Sequence, residues 1–503
     1  MILLVNPRAT KPGLRRFPLS IMALGAALPG DVSWDLVDGN KPEHGDLVEV
    51  LRQRIEAQRT SGDPVSLLAF TVMPGPQLAA AVPVTKRIKA LFPEIPIVWG
   101  GYFASLYPQP VGNAPFIDFL VRGQGERTFL ELLDVLAGKR DPGTVAGLGW
   151  KKDGTLVLNP ERPWIGPGEL PAPPYHRIHV PEYLEKTHLG ARSGVYQASI
   201  GCPYTCSFCG VISVYGSREN FEEPARTAKH LAFLKAEHGM DSVHFYDNNF
   251  FQAEAHGREV CDRLTPLGLS WWCESRIDVL LSYKDETFRA MKASGLRMVF
   301  FGAESGSNEV LAKMEKRLTI EETLALAARI KEWDIVPEFS FVLGGPEDPE
   351  HEIDQTLALM KKLKDVNPAA EMVFYFYTPT PQRRAVYGGV NPLDGTPEAL
   401  EDWTTPEWVD FMTHEKPDVP WMTEALRAKV LDFELILKSR FPSLHDLKTR
   451  PWGKVLAQRL ARRRWADGDF RDPRLIRSIR KFARVPKDDA QLYGHLRPPA
   501  EPA

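Results

Sequence analysis

The sequence predicts an α/β protein with two successive sheet domains and a mainly helical C-terminal region. Two observations support this fold class. Short apolar runs alternate with amphipathic stretches in residues 1–145 and again in 191–390, as in βαβ units that build parallel sheets. Between these parts, residues 146–190 are rich in proline, and residues 391–503 show helical patterns instead.

The N-terminal domain is predicted to be doubly wound and Rossmann-like. A helix is expected over Gln77–Leu91, where apolar residues recur at helical spacing. Ligands of such sheets lie at the carboxyl ends of the strands. The strands are expected at Ile2–Val5, Trp34–Val37, Leu67–Val72, Ile95–Trp99 and Phe116–Val121.

Candidate ligand-binding residues stand at the ends of these strands. Thr71 ends the third strand, Gly100 and Gly101 follow the fourth, and Gly123 follows the fifth. Paired glycines let a flat or bulky ligand approach the backbone closely. The alternative is that they are ordinary turn residues of a doubly wound fold, and for Gly123 with Gly125 that alternative is the stronger one.

The segment between the two domains is predicted to be an extended linker over residues 146–190. Proline lacks a backbone donor and is excluded from the interior of regular elements. A stretch this rich in proline is typical of a linker. The prolines are Pro160, Pro163, Pro167, Pro171, Pro173, Pro174 and Pro181.

Residues 191–390 are predicted to form a partial (βα)6 barrel, whose chemistry would lie at the carboxyl ends of the strands. Helices are expected at Glu309–Lys316 and Ile320–Glu332 between the last strands. The strands are expected at Val195–Ile200, Ser242–Tyr246, Leu269–Cys273, Met298–Phe301, Glu338–Leu343 and Met372–Tyr377.

Three of the five cysteines of the chain lie within eight residues, at Cys202, Cys206 and Cys209. Three thiolates on one loop can hold a metal centre together. A structural zinc site needs four ligands, whereas a cubane iron–sulfur cluster held by three thiolates keeps one iron open for another molecule. Zinc stays an alternative here, with His244 or Cys273 as the fourth ligand.

The Cys-x3-Cys-x2-Cys spacing, with Phe208 before the last cysteine and Gly210 after it, resembles the motif of radical S-adenosylmethionine (SAM) enzymes. The resemblance implies a [4Fe–4S] cluster whose open iron binds SAM, and a low-potential electron donor of the flavodoxin or ferredoxin type. One electron would split SAM and yield a 5′-deoxyadenosyl radical. The cofactor-binding residues that it implies are Phe208, Asp247, Arg276, Glu304, Ser305, Gly344 and Gly345.

The N-terminal domain resembles the cobalamin-binding domain found ahead of many radical enzymes. The matching segments are Phe17–Ser20, Val98–Tyr102 and Gly123–Thr128. Many cobalamin proteins carry a histidine in the loop after the first strand, but residues 6–13 contain none. The resemblance implies a cobalamin site at Thr71, Gly100, Gly101 and Gly123, without a histidine from this loop.

Residues 391–503 are predicted to be mainly helical, with a disordered tail at 497–503. A helix is expected over Thr423–Phe441, with Thr423 as its N-cap. A basic section runs from Lys448 and Arg450 to Lys481. A solvated basic face, contact with an anionic membrane surface and nucleic-acid binding are the three interpretations, and nothing resembles an RNA-binding fold.

Composition adds few constraints. The hydrophobic content is 43% and the formal net charge is −3, so no polyanionic partner is indicated. No apolar run is long enough for a membrane span, and no leader peptide is recognised. Five cysteines without a disulfide framework favour a reducing cytoplasm.

The resemblance implies a cobalamin-dependent radical SAM enzyme that methylates an unactivated carbon of a small-molecule, lipid or tetrapyrrole-like substrate. A radical cyclase or rearrangement enzyme, of the type that acts on porphyrin rings, is the alternative. A tRNA methylthiotransferase is disfavoured, because those enzymes carry further N-terminal cysteines and none precedes Cys202. A zinc or redox-sensing module without catalytic activity is the alternative of another class.

Overall fold

The computed structural model describes residues 1–9, 15–381, 387–391, 393–442 and 451–483. Some expectations from the sequence fall wholly or partly on other residues. They concern positions 10–13 of the loop after the first strand, Lys448 and Arg450 of the basic section, and the tail 497–503.

The N-terminal domain contains a seven-stranded sheet in the order β2-β1-β3-β4-β5-β6-β7, in which β1 to β5 are parallel. The predicted doubly wound arrangement is confirmed. Leu3 packs in a core with α2 and α3, whereas its neighbour Leu4 packs with α1 and α6 on the other face. The strands are β1 Ile2–Asn6, β2 Trp34–Asp38, β3 Leu67–Thr71, β4 Ile97–Gly100, β5 Phe119–Val121, β6 Leu148–Lys152 and β7 Thr155–Leu158. The helices are α1 Leu19–Ala27, α2 Leu47–Ser61, α3 Pro76–Leu91, α4 Tyr102–Leu106, α5 Pro108–Asn113 and α6 Glu126–Leu136.

The structure differs from the linker prediction over residues 148–158. Here β6 and β7 form an antiparallel hairpin that extends the N-terminal sheet. Asp153 and Gly154 form its two-residue turn with φ of 51° and 79°, the positive values that a type I′ hairpin turn requires. The prolines begin only after the hairpin, so the expectation of a linker was wrong for these residues.

The second sheet has six parallel strands in the order β8-β11-β12-β13-β14-β15, and confirms the predicted partial barrel. The predicted strand Val195–Ile200 is divided, because β9 leaves the barrel and pairs with β10 instead. The strands are β8 Ser193–Tyr196, β9 Ser199–Gly201, β10 Glu219–Phe221, β11 Ser242–Phe245, β12 Ser270–Ser275, β13 Leu296–Glu304, β14 Val336–Leu343 and β15 Glu371–Phe376. The helices are α7 Val211–Tyr215, α8 Pro224–His238, α9 Glu254–Leu264, α10 Ile277–Leu281, α11 Asp285–Ala293, α12 Asn308–Lys313, α13 Ile320–Glu332 and α14 Pro349–Val366.

The C-terminal region crosses back to the N-terminal domain before it forms its helices. Trp403 is fully buried, and its ring centroid lies 5.3 Å from that of Phe103 and 4.5 Å from that of Tyr107. Thr423 caps the next long helix as predicted, since its side chain accepts from the Leu426 amide at 3.3 Å. The helices are α15 Pro406–Met412, α16 Glu424–Arg440, α17 Pro451–Asp467 and α18 Arg474–Phe482. Within the described ranges, no helix has both the length and the apolar character needed to cross a membrane.

Candidate active site

The three clustered cysteines lie on the loop between β9 and α7, at the carboxyl end of the barrel. Two backbone hydrogen bonds fix this loop at its centre. The Ser207 amide donates to the Met314 carbonyl at 3.0 Å, and the Tyr387 amide donates to the Ser207 carbonyl at 3.0 Å. The loop is therefore anchored both to the segment after α12 and to the segment after β15.

The environment of the cysteines opposes thiolates in the absence of a positive centre. Burial raises the pKa of Cys202 to about 11 and that of Cys209 to about 12. A bound metal supplies the missing positive charge and displaces the thiol protons. In the part of the chain that the structure describes, no three His, Cys, Asp or Glu side chains surround one ion-sized point. A cubane cluster needs no such point, because each thiolate binds a different iron.

Arg276 brings a buried positive charge to Cys206. Its Nη1 lies 3.8 Å from the Cys206 sulfur, and its Cζ lies 3.6 Å from the centroid of the Tyr204 ring. The guanidinium is held by the Asp278 carboxylate at 2.9 Å and by the carbonyl of Lys316 at 2.6 Å. A cation fixed beside a ligating sulfur would stabilise the added negative charge of a reduced cluster.

A buried ion pair lies next to the same loop. The Lys316 Nζ is 2.7 Å from Oε1 of Glu304 and 5.9 Å from the centroid of the Phe208 ring. Burial alone would lower the pKa of Lys316, but the Glu304 carboxylate and Cys206 outweigh this effect and raise it. Lys316 was not recognised from the sequence, because it stands in an ordinary charged run, Lys313 to Arg317.

Glu219 presents a carboxylate without a partner beside the cysteine loop. Both of its oxygens are buried and accept no hydrogen bond. Burial first, and then the nearby Asp247, raise its pKa to about 9, and Glu219 in turn acts on the pKa of Cys202. Further buried acceptors without a partner lie after β11, at Oδ1 of Asn248 and of Asn249, and at the end of β12, at Oγ of Ser275. This end of the barrel offers hydrogen-bond acceptors to a ligand that donates.

Asp247, a predicted cofactor contact, lies directly after β11 and is fully buried. Its carboxylate accepts from the Ala198 amide, at 3.0 Å and 3.2 Å, where the chain passes from β8 to β9. Burial raises its pKa to about 7. The observed contacts give Asp247 a role in shaping the start of the cysteine loop, and its contact with SAM stays a prediction.

The other predicted contacts at the strand ends are packed by side chains of this chain. Gly344 has φ of 75°, and a Cβ there would lie 2.9 Å from the Met422 sulfur. The Gly345 amide donates to Glu352 at 2.9 Å. Ser305 is buried, and its hydroxyl accepts from the Ser307 amide at 3.2 Å. The predicted contacts of these residues with SAM stay predictions.

The predicted ligand-binding residues of the N-terminal domain contact neighbouring residues of the same domain. The Thr71 and Ser20 hydroxyls are 3.0 Å apart. A Cβ at Gly101, where φ is 95°, would lie 2.9 Å from the Val72 amide nitrogen. The Gly123 amide donates to the Ser105 hydroxyl at 2.9 Å. The carbonyl of Gly100, in turn, accepts from the Val72 amide at 2.9 Å.

A cavity of about 330 Å³ lies between the two sheet domains. The N-terminal domain contributes Tyr102 and Tyr107, the cysteine loop contributes Phe208 and Cys209, and the barrel contributes Glu304. Tyr102 also touches the loop, because a Cβ at Gly210 would lie 2.7 Å from its hydroxyl. The cavity wall is completed by His414 of the C-terminal region. Tyr102 ends Val98–Tyr102, one of the segments that resemble cobalamin-binding domains, although it was not itself predicted to bind a ligand. His414 was not indicated, because it belongs to no recognisable motif.

A second cavity, of about 370 Å³, lies beside Tyr204 of the cysteine loop. Its wall includes Tyr204, Asp278 and Tyr283 but no cysteine. The hydroxyl of Tyr283 is buried and without a partner. Burial first, and then the charges of Glu254 and Glu219, raise the pKa of Tyr283, so Glu219 lies near this cavity.

Comparison with protein families gives one match, to the radical SAM superfamily over residues 196–360. This range begins at the end of β8 and ends within α14. It therefore contains the cysteine loop, Glu219, Arg276 and the Lys316–Glu304 pair.

Three curated proteins illustrate the range of relatives. An uncharacterized methyltransferase of Pyrococcus horikoshii is 28% identical over 76% of this chain and 82% of its own length. Cytidylyl-2-hydroxyethylphosphonate methyltransferase of Streptomyces wedmorensis is 28% identical over 50% of this chain and 53% of its own length. Anaerobic magnesium-protoporphyrin IX monomethyl ester cyclase of Rubrivivax gelatinosus is 27% identical over 58% of this chain and 53% of its own length. This chain thus matches about half the length of the latter two.

Two solved structures share the fold along most of the chain. The radical SAM methyltransferase TsrM of Kitasatospora setae, with cobalamin and a [4Fe–4S] cluster bound, superposes with a TM-score of 0.65 at 18% identity. The match covers 92% of this chain and 99% of that protein. The cobalamin-dependent SAM radical enzyme OxsB, with aqua-cobalamin and SAM bound, superposes with a TM-score of 0.62 at 15% identity, over 96% of this chain and 70% of OxsB.

Proposed function

This chain belongs to the radical SAM superfamily, and we propose that it is a cobalamin-dependent enzyme that methylates a carbon atom of a small molecule. The observation that carries the proposal is the aromatic cavity that joins Cys209 of the cysteine loop to Tyr102 of the N-terminal domain. A radical formed at the loop and a methyl donor held by the N-terminal domain would both reach a substrate in that cavity.

Cys202, Cys206 and Cys209 would hold a [4Fe–4S] cluster. Their donor set fits this group, since thiolates are the preferred ligands of iron–sulfur clusters. When bound, the cluster supplies one electron that splits SAM into methionine and a 5′-deoxyadenosyl radical. A flavodoxin- or ferredoxin-type donor in a reducing cytoplasm would supply that electron.

Glu219 would bind the amino group of SAM. Its carboxyl group is buried, has no hydrogen-bond partner and lies close enough to Cys202 to contribute to the raised pKa of that thiol. A buried acceptor of this kind is costly unless a ligand completes its hydrogen bonds. The oxygens of Asn248, Asn249 and Ser275 would accept further donors from the same ligand.

The N-terminal domain would hold cobalamin against the cavity. Tyr102, Leu106 and Tyr107 form an apolar and aromatic wall there, which suits the flat face of a corrin ring. When bound, cobalamin supplies the methyl group. The sequence offers no histidine at positions 6–13, so no histidine of this loop would ligate the cobalt. The methyltransferase relatives and the cobalamin-bound TsrM structure support this assignment.

A radical cyclase is the second candidate function. It is favoured by the relative from Rubrivivax gelatinosus, a magnesium-protoporphyrin cyclase that is 27% identical over 58% of this chain. Mass spectrometry of the product separates the two functions. A methyltransferase adds one methyl group to its substrate, whereas an oxidative cyclase removes hydrogen and adds no carbon.

Anaerobic reconstitution with iron and sulfide tests the cluster. The wild-type chain is expected to gain a thiolate-to-iron absorption band and, with a reductant, to convert SAM to 5′-deoxyadenosine. Cys206→Ala is expected to lose both properties. Cys261→Ala is the matched control, since Cys261 is a buried thiol on α9. Zinc binding with no cleavage of SAM would establish the sensor alternative instead.

Two further measurements separate the parts of the proposal. Protein incubated with hydroxocobalamin and desalted is expected to retain stoichiometric corrin, and an intact cluster without retained corrin would refute the methyl-transfer assignment alone. Glu219→Gln is expected to weaken SAM binding by about tenfold or more, as for a lost charged hydrogen bond. Glu223→Gln, an exposed carboxylate in the same segment, should leave SAM binding unchanged.

A further inference from the structure

The last two helices expose an unusual share of the apolar side chains of this protein. Among the described residues, eleven large apolar side chains are exposed, and five of them lie on α17 and α18. Scattered single examples are normal on any surface, but a local concentration indicates an interaction site. The five are Trp452, Val455, Leu456, Leu475 and Phe482, with exposed fractions of 53%, 51%, 44%, 61% and 75%.

The two helices run side by side in opposite directions. A Cβ at Gly453, near the start of α17, would collide with Ala483, just after the end of α18. Trp452 and Phe482 therefore lie at the same end of the helix pair. Other positions on both helices are already buried, namely Ala457, Ala461 and Trp465 on α17 and Ile476 and Ile479 on α18. The exposed apolar residues are thus not part of the core of the helix pair.

The same helix pair carries a strong positive charge. Residues 451–483 contain ten Lys or Arg and three Asp, which gives a net charge of +7 in a chain whose total is −3. Some of these charges are paired, such as Arg477 with Asp432 at 2.5 Å. Arg459, Arg462 and Lys481 are exposed. The surface is therefore both apolar and cationic.

We propose that α17 and α18 form a docking surface for the anionic face of a lipid bilayer. Apolar side chains of an interfacial helix enter the boundary between headgroups and acyl chains, while Lys and Arg contact anionic headgroups. Trp452, at one end of the helix pair, suits this boundary, where tryptophan is favoured. A nucleic acid would satisfy the charge, but Val455, Leu456 and Leu475 could neither stack on bases nor bond to them.

The proposal is independent of the catalytic function and is tested by sedimentation of the full chain with vesicles. Vesicles of phosphatidylcholine with about one third phosphatidylglycerol are expected to carry down most of the protein at low salt, and pure phosphatidylcholine much less. Trp452→Ser with Phe482→Ser is expected to reduce binding about tenfold, and Arg459→Glu with Arg462→Glu and Lys481→Glu likewise. Leu136→Ser, which alters an exposed leucine on α6, is the control and should bind as the wild type does.

Circular dichroism and thermal unfolding establish that each variant folds. If the apolar double variant does not fold, the variant with the three charge reversals still tests the proposal. No sedimentation with anionic vesicles would overturn the proposal. Binding that neither set of substitutions weakens would overturn it as well. If the protein binds duplex or single-stranded DNA but not vesicles, the surface is a nucleic-acid site and the proposal is overturned. If the protein does not bind vesicles but forms a dimer, and Trp452→Ser with Phe482→Ser dissociates that dimer, the surface is an interface between two copies.

Discussion

The ammonium of Lys316 lies 2.7 Å from Oε1 of Glu304, and both side chains are buried at the mouth of the barrel. Glu304 ends β13 with φ of 61°, a left-handed conformation that costs a residue with a side chain about 1–3 kcal/mol. The ion pair holds this strained residue in place. It also fixes the segment whose carbonyl at Lys316 binds Arg276 at 2.6 Å. The pair therefore links the end of β13 to the cation beside Cys206.

Breaking this pair from one side should be costly. Glu304→Gln leaves Lys316 as a buried charge without an opposite charge beside it, and is expected to lower the free energy of unfolding by about 3–5 kcal/mol. The double variant Glu304→Gln with Lys316→Met should recover much of that loss. Lys313→Met is the control, because Lys313 pairs with Glu309 and Glu347 on the surface, where water and salt screen the charges, and this substitution should destabilise the protein far less. Denaturant unfolding of the four proteins measures these values. Equal costs for Glu304→Gln and Lys313→Met would contradict the assignment.

Removing the charge of Arg276 should make the cluster harder to reduce. The Nη1 of Arg276 lies 3.8 Å from the Cys206 sulfur, and a positive charge there favours the reduced, more negative cluster. Arg276→Gln is expected to shift the midpoint potential downward by roughly tens of millivolts. A redox titration followed by electron paramagnetic resonance measures the shift. Arg263→Gln, at an exposed position on α9, should leave the potential unchanged, and equal potentials in all three proteins would refute the prediction.

His414 should make the fold sensitive to mild acid. Burial lowers its pKa to about 4, whereas in the unfolded chain it is about 6.5. Between these two pKa values the unfolded chain binds more protons than the folded chain. The contribution of His414 to stability is therefore fully present above pH 6.5 and is lost as the pH falls toward 4. The difference in His414 protonation between the two states should by itself lower the free energy of unfolding by about 2 kcal/mol between pH 7 and pH 5.

The matched variant for this effect is His414→Asn. The backbone at His414 has φ of 57°, which asparagine tolerates well. Other groups titrate in the same range, so the quantity to measure is the difference in pH dependence between variant and wild type. The variant should lose less stability on acidification, and identical slopes from urea unfolding at pH 7 and pH 5 would argue against the prediction.

Gly101 should be sensitive to the addition of one methyl group. A Cβ there would lie 2.9 Å from the Val72 amide nitrogen and 3.1 Å from the Thr71 hydroxyl. Gly101→Ala is expected to destabilise the protein by about 1–3 kcal/mol more than Gly138→Ala, because Gly138 also has positive φ but has no atom within 4 Å of such a Cβ. The expected shift of Tyr102, the next residue, should also lower corrin retention. Equal melting temperatures for the two variants would show that no crowding exists at Gly101.

The regular elements followed from local patterns in the sequence. The helix predicted at Ile320–Glu332 has these bounds in the structure, because Thr319 caps it and Glu322 completes the capping box. The hairpin at residues 148–158 was missed although Asp153-Gly154 is a strong local turn pattern, since the prolines that follow dominated the interpretation. The break between β8 and β9 depends on Asp247, which is distant in sequence, and no local pattern encodes it.

The candidate site was only partly accessible from the sequence. The proposed cluster ligands could be predicted, because the spacing of three cysteines on one loop is itself the motif. These residues are Cys202, Cys206 and Cys209. Lys316 and Glu219 could not, since their importance arises from burial and from neighbours that the fold supplies. A buried charge is recognised by the residues that surround it in space, and these neighbours cannot be read from a single sequence.

The cavity at the centre of the molecule has a consequence for the order of events during biosynthesis. Its wall includes Tyr102, Cys209, Tyr377 and His414. These residues are far apart in the sequence, so they are synthesised at different times. Because domains fold as they emerge from the N-terminus onward, both sheets can form while one side of the chamber is still missing. A cofactor that bound at that stage would remain exposed to solvent on one side. The complete cavity can therefore receive its cofactors only after residue 414 has been translated and folded.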